Sequence, residues 1–186
     1  LPAPARALAA TLEKNPPSLP MPKRVFLSRR NTRAQSKAPV IEAFLAARGF
    51  ETIFPEDLPA SDQIHLFAGA DEMVAVHGAG LAPLLYCGTG AGFEGGPKRL
   101  IEVLSCGHMT DVYRVVADRV GCAWIGVRGR IKPEYIRPAY DIGTRFVKYS
   151  LDNFEIDIAA LEEAFVLSGP DTGRDDPACS GGVESG

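Results

Sequence analysis

From Met73 to Phe93 the chain carries no Asp, Glu, Lys or Arg, and inside that span lies His77-Gly78-Ala79-Gly80-Leu81. No other stretch constrains the fold as tightly. Met73 to Val76 reads as a short apolar strand, the glycines as a tight turn, and Leu81 onward as a buried helix. Pro83 is compatible with that helix because it falls in the first turn, where backbone N–H groups have no intrahelical partner. The span is long enough to cross a membrane, but the glycines, Pro83 and His77 argue against one. A strand that runs through glycines into a helix N-terminus exposes N–H groups and a partial positive charge, and glycine lets an anion approach the backbone closely. The turn is therefore expected to hold a phosphate group, specifically a nucleotide diphosphate. The plainer alternative is a tight turn between core elements, with His77 a structural histidine.

The flanking sequence repeats one plan. Arg24 to Leu27 is a compact apolar strand ending in Ser28-Arg29-Arg30. Pro39 to Arg48 has helical spacing through Val40, Ile41, Phe44 and Leu45, with Gly49 as its stop. A second strand runs from Phe50 to Phe54, and Ser61 is a good N-cap for a helix from Asp62 to Ala68. After the glycine turn come a glycine-rich loop (Gly88 to Pro97), a strand from Leu100 to Leu104, a helix from Met109 to Val120 and a strand from Ala123 to Val127. Strands alternating with helices across short loops imply an α/β fold, a Rossmann-like, doubly wound parallel sheet covered on both faces.

At 186 residues and 46% hydrophobic content the chain suits one domain with tails. Residues 1–22 are rich in proline and alanine and read as a linker with one short helix from Ala5 to Lys14. The Rossmann-like layer spans 23–167. It includes a further strand from Arg145 to Ser150 and a terminal helix from Ile156 to Val166, begun by Asp152 or Asp157. Residues 168–186 have the composition of a disordered tail. The net charge of −3 gives no general attraction to nucleic acid. Cys87, Cys106, Cys122 and Cys179 are widely spaced, so neither zinc nor a disulfide framework is indicated, and the first three read as buried thiols. No secretory apolar segment is visible and the first residue is not Met, so the chain is expected to be a piece of a longer protein.

Ligands of open α/β sheets bind beyond the carboxyl ends of the strands. That rule selects Arg29, Arg30 and Arg33 after the first strand, His77 to Leu81 after the third, and Glu102 near the end of the fourth. A guanidinium grips phosphate with parallel N–H bonds, although the three arginines also suit a solvated basic surface. Glu102 can accept ribose hydroxyls, or stand as an exposed strand-end glutamate; buried, it needs a polar partner. Gln63 can read a base or sugar, but a surface role at a helix start fits it better. Dinucleotide binding is the rival reading, since Gly78-x-Gly80 followed by Glu102 copies much of that fingerprint. Pro83 in place of the third glycine, the turn's position after the third strand, and His77 all count against it.

Taken in order, Ser28-Arg29-Arg30 with Arg33, Arg48-Gly49-Phe50-Glu51, Gln63-Ile64, His77-Gly78-Ala79-Gly80-Leu81, Leu84-Leu85-Tyr86 and Ile101-Glu102 resemble glycosyltransferase family 61, from about Lys23 to Val127. The resemblance implies the C-terminal, donor-binding half of a two-domain GT-B enzyme that transfers xylose or N-acetylglucosamine from a UDP-linked donor, with inversion, to a glycan or protein hydroxyl. The acceptor-binding half would lie upstream. By matching position, Arg29, Arg30 and Arg33 would lie near the donor diphosphate, Gly78, Ala79, Gly80 and Leu81 would form the phosphate turn, and Glu102 would face the nucleoside. His77 is the candidate catalytic side chain, with the missing half as the other source of a general base. No cofactor and no metal are implied, since charged side chains can hold the leaving group and no Asp-x-Asp motif occurs. Lys37-Ala38-Pro39 replaces the family's Asn-Glu region, Ala82-Pro83 replaces Thr-Asn, and the Cys87 to Arg99 loop is longer than usual. A non-catalytic nucleotide-sugar or protein-binding module is therefore a further alternative.

Overall fold

The computed structural model describes residues 10–18, 20–30, 38–88, 95–105, 110–130 and 154–167. Arg33, Cys106, His108, Cys179, the expected strand from Arg145 to Ser150, the 168–186 tail and most of the glycine-rich loop lie outside the described residues. Within them, β1 (Arg24–Leu27), β2 (Glu51–Ile53), β3 (Glu72–Val76), β4 (Arg99–Leu104) and β5 (Ala123–Arg128) form one parallel sheet in the order β2-β1-β3-β4-β5. The helices are α1 (Ala38–Ala46), α2 (Ala60–Gly69), α3 (Val112–Arg119) and α4 (Ile158–Leu167). A 3-10 helix, Ala79–Tyr86, joins β3 to β4.

Side-chain alternation along the strands builds two cores, one on each face. Val25, Leu27, Met73, Ala75 and Leu100 pack with Leu66 and Phe67 of α2, Leu81 and Leu84 of the 3-10 helix, and Val116 and Ala117 of α3. Phe26, Val74, Val76, Ile101 and Val103 pack with Ile41 and Leu45 of α1 and Leu161 and Ala164 of α4. Strands buried on both faces read as continuous apolar runs, and β1, β3 and β4 do so. The fold is the doubly wound, Rossmann-like α/β layer.

Three local details differ from expectation. The segment after His77 is a 3-10 helix, not an α-helix, and it begins at Ala79 with Pro83 inside it. In an α-helix the Pro83 ring would crowd the carbonyl four residues back, and the tighter winding avoids that. Helix α2 starts at Ala60 behind Pro59, with no side-chain cap bond, so Ser61 is not its cap. The first turn is tied from outside instead: the Ser18 hydroxyl donates to buried Asp62, and His65 Nε2 donates to the Asn15 carbonyl at 2.9 Å. Residues 10–14 are helical, and Leu12 is buried at 2% exposure, so the described part of the N-terminal stretch is fastened along α2. Gly49 does stop α1: it adopts φ +79°, and the Phe50 N–H reaches back to the Leu45 carbonyl at 3.1 Å.

Asp152, one of the two caps expected for the last helix, lies outside the described residues, and the helix is capped by the other, Asp157. Its Oδ1 accepts from the Ala159 N–H at 3.1 Å, and its Oδ2 from Arg130 Nε at 2.8 Å. The Arg130 hydrogen bond is the main reason its carboxyl lies below the ordinary value of 3.8. A lowered folded-state value means the stabilisation is present above the unfolded aspartate's range and lost as pH falls through the folded value. Arg130→Ala is expected to return the Asp157 midpoint toward 3.8 in a carboxyl NMR titration. An unmoved midpoint would show that Arg130 is not the cause.

Cys87 and Cys122 are free and buried in the core beneath α2 and α3. Burial pushes their thiols up to about 11 and about 12, with Cys87 adding to the shift at Cys122. The thiolate is the reactive form, so both are expected to resist iodoacetamide at pH 8 in the folded protein and to react in urea. Site-resolved mass spectrometry checks this, and labelling of either residue without denaturant would contradict it. The sign for stability is opposite to that of Asp157: it is retained below the unfolded thiol value and falls as pH rises toward the folded one.

Candidate functional site

β1 and β3 are hydrogen-bonded neighbours although β2 lies between them in sequence, so the winding reverses there. α1 leaves β1 onto one face and α2 reaches β3 across the other. In a doubly wound sheet this divergence opens a crevice at the carboxyl ends of the two strands. A cavity of about 260 Å³ occupies it, lined by Leu27, Ser28 and Arg29 from the end of β1, Pro55, Glu56 and Gln63 from the β2–α2 region, and Val76, Ala79 and Gly80 from the end of β3.

The glycine turn is closed by the Leu81 N–H, which donates to the Gly78 carbonyl at 3.0 Å, while the Leu81 side chain is fully buried. Leu81 thus anchors the turn in the core. Ala79 and Gly80 open the helix, and N–H groups in a first turn have no intrahelical acceptor. Arg29 lies over this turn. Its Nη1 donates to the His77 carbonyl at 3.3 Å, and a Cβ added to Gly78 would stand 2.3 Å from that nitrogen. Gly78 has φ +156° and ψ −176°, a region essentially confined to glycine.

Arg30 is placed differently. Its Nη1 lies 2.8 and 2.7 Å from the two Asp57 carboxylate oxygens, and its Cζ sits 3.8 Å above the centre of the Phe54 ring. It is exposed and does not line the cavity. The structure therefore brings Arg29, but not Arg30, to the turn.

Glu102 also departs from the sequence-based placement. It is fully buried and does not line the cavity. Its Oε1 is 2.5 Å from His77 Nδ1, and its Oε2 accepts from Trp124 Nε1 at 2.7 Å. Both oxygens are committed inside the protein because Ala75, His77, Glu102 and Trp124 fall on the α2/α3 face of the sheet. The residue opposite Glu102 on β5 is Gly126, where a Cβ would come within 2.6 Å of the Trp124 ring. Tyr113 of α3 meets the His77 ring edge-on, with centroids 5.6 Å apart.

Sequence reasoning missed Glu56, Trp124 and Tyr113. Trp124 had one available signal: a lone tryptophan two residues before a strand glycine, next to a strand whose middle carries a glutamate. Gln63, left as a surface residue, lines the cavity and donates from Nε2 to the Pro55 and Leu58 carbonyls at 3.0 and 3.1 Å, holding the wall that carries Glu56.

Residues 2–93 match the family model for Glycosyltransferase 61. That match supports the assignment of the chain to glycosyltransferase family 61. The match takes in the arginine run, Gln63 and the whole His77 to Leu81 turn, and it begins well before Lys23, in keeping with the packing of residues 10–18 against α2. It stops before Glu102 and Trp124. No curated protein matches the chain. The family assignment implies sugar-transfer chemistry in general, with a donor and an acceptor as substrates. Among the described residues, no helix is long and apolar enough to cross a membrane.

Proposed function

We propose that the crevice between β1 and β3 holds the diphosphate of a UDP-linked sugar, and that this family 61 chain is the donor-binding half of a GT-B enzyme transferring a xylose- or N-acetylglucosamine-class sugar with inversion. One observation carries the reading: Arg29 and the amides of the glycine turn meet in a single cavity at the winding reversal of the sheet. An always-charged guanidinium beside N–H groups with no helical acceptor is a fitting environment for phosphate oxygens.

In the reaction an acceptor hydroxyl oxygen attacks the anomeric carbon from the face opposite the leaving group. The anomeric C–O bond to phosphate breaks, and its electron pair leaves on the nucleoside diphosphate. Arg29 and the turn stabilise that charge as it develops. The hydroxyl proton passes to a base, for which His77 is the candidate in this chain. Nucleotide-sugar pockets need more room than about 260 Å³, since ligand sites commonly run to about 300–1,000 Å³. A second half closing over the crevice would supply the remainder and the acceptor.

Calorimetric titration with UDP, pyrophosphate and NADH tests the reading. UDP is expected to bind more tightly than NADH, with pyrophosphate retaining part of the affinity. A clear preference for NADH would favour the nicotinamide-dependent alternative, and binding of none of the three would leave an interaction module.

A further inference from the structure

The geometry points to Glu102 as a positioning residue: with Trp124 it fixes the ring of His77 in the tautomer that carries hydrogen on Nδ1, which makes Nε2 the proton-accepting nitrogen. The inference rests on the proposed donor site only for its catalytic consequence.

An ionised carboxylate only accepts hydrogen bonds. One Glu102 oxygen is taken by the Trp124 N–H at 2.7 Å, and an indole nitrogen only donates, so that oxygen cannot serve the histidine. The other lies 2.5 Å from His77 Nδ1, and with Glu102 as the carboxylate that nitrogen is the donor. Glu102 cannot turn away, because it is fully buried, flanked by Leu100 and Leu104 along β4, with the Trp124 ring folded over Gly126. The backbone of His77 is held as well: its N–H donates to the Val103 carbonyl at 2.9 Å, and its own carbonyl accepts from Arg29. A fixed strand end, a fixed ring plane and a fixed tautomer amount to more than packing requires. They are what a base needs if it is to take the acceptor's proton as the sugar's C–O bond forms and the nucleoside diphosphate leaves with its electrons.

The two donors facing Glu102 yield a discriminating variant. In Glu102→Gln the amide has one acceptor oxygen for two donors. If that oxygen keeps the Trp124 N–H, the amide NH2 faces Nδ1, which can accept only by shifting its hydrogen to Nε2. Long-range proton–nitrogen NMR of the neutral imidazole reads this directly. Wild type should show Nδ1–H, Glu102→Gln should show Nε2–H, and Glu102→Gln with Trp124→Phe, where the amide oxygen is released to His77, should return to Nδ1–H. An Nε2–H tautomer in wild type overturns the inference even if no variant folds. In UDP-sugar turnover, kcat of Glu102→Gln should fall by about 10²–10⁴-fold, the usual worth of a general base, with the UDP dissociation constant unchanged and kcat recovering in the double variant. A shifted tautomer with undiminished kcat removes His77 from the chemistry. Failure of UDP to bind wild type would strike the donor site and leave the tautomer result standing, so the two ideas fail separately.

Discussion

Arg29→Ala is expected to weaken UDP binding about 10- to 150-fold, while Arg30→Ala leaves it nearly unchanged. A hydrogen bond to a charged group contributes about 1.5–3 kcal/mol, and about 1.4 kcal/mol is tenfold in affinity. The two arginines are adjacent and chemically identical, so the difference lies wholly in placement. Arg29 lines the cavity and reaches the turn through the His77 carbonyl. Arg30 spends its guanidinium on Asp57 and the Phe54 ring. That ion pair is about half exposed on both sides, and exposed pairs typically contribute only about 0.2–1 kcal/mol to stability. Arg30→Ala should therefore be a mild variant by both calorimetry and thermal unfolding. Equal losses from the two substitutions would show that the ligand recruits Arg30 away from Asp57, and a silent Arg29→Ala would remove the diphosphate from this crevice.

The layer itself was legible because its signals are local. β1, β3 and β4 are buried on both faces and announce themselves as apolar runs, and Gly49 marks a helix end that needs positive φ. The strand order was not legible in the same way, since placing β3 beside β1 depends on crossovers that bring distant residues together. Once the order is known, alternation explains why Arg29 follows Val25 and Leu27 toward the α2 face. Sequence position alone makes Arg29 and Arg30 equivalent, and the structure separates them.

Glu102 illustrates a second limit. A glutamate near a strand end next to a glycine turn suits a ligand contact, and its composition-level surroundings do not reveal two internal donors. One of them, His77, was itself read as part of the ligand turn, and the other, Trp124, arrives from the next strand over a glycine. The buried carboxylate needed polar partners, as expected for its burial, but the partners are protein groups. The attachment of the N-terminal stretch to α2 was not legible for a similar reason. Prolines mark it as extended, whereas its attachment depends on single polar contacts, Ser18 to Asp62 and Asn15 to His65, that no periodicity encodes.

Gly78→Ala should produce the largest combined effect, on stability and on binding, and a cycle with Arg29→Ala separates the two. The Gly78 backbone conformation costs a non-glycine residue on the order of 1–3 kcal/mol, which thermal unfolding will register whether or not ligand is present. The new methyl carbon would also stand 2.3 Å from Arg29 Nη1, and because that nitrogen ends a flexible side chain, the guanidinium is the group that moves. Displacing it removes the charge from the crevice, so UDP affinity should fall about as far as in Arg29→Ala. In the Arg29→Ala background the methyl has no guanidinium left to displace. Gly78→Ala should then cost stability as before but little further affinity, the non-additivity expected of groups in contact or coupled through one site. Gly80→Ala provides the contrast: its Cβ would meet Pro55 Cγ at 3.1 Å without a positive φ, so it should narrow the cavity and weaken binding while sparing most of the stability. Fully additive binding losses for Gly78 and Arg29 would mean that the turn and the guanidinium serve the ligand independently, and that the contact between them has no part in shaping the site.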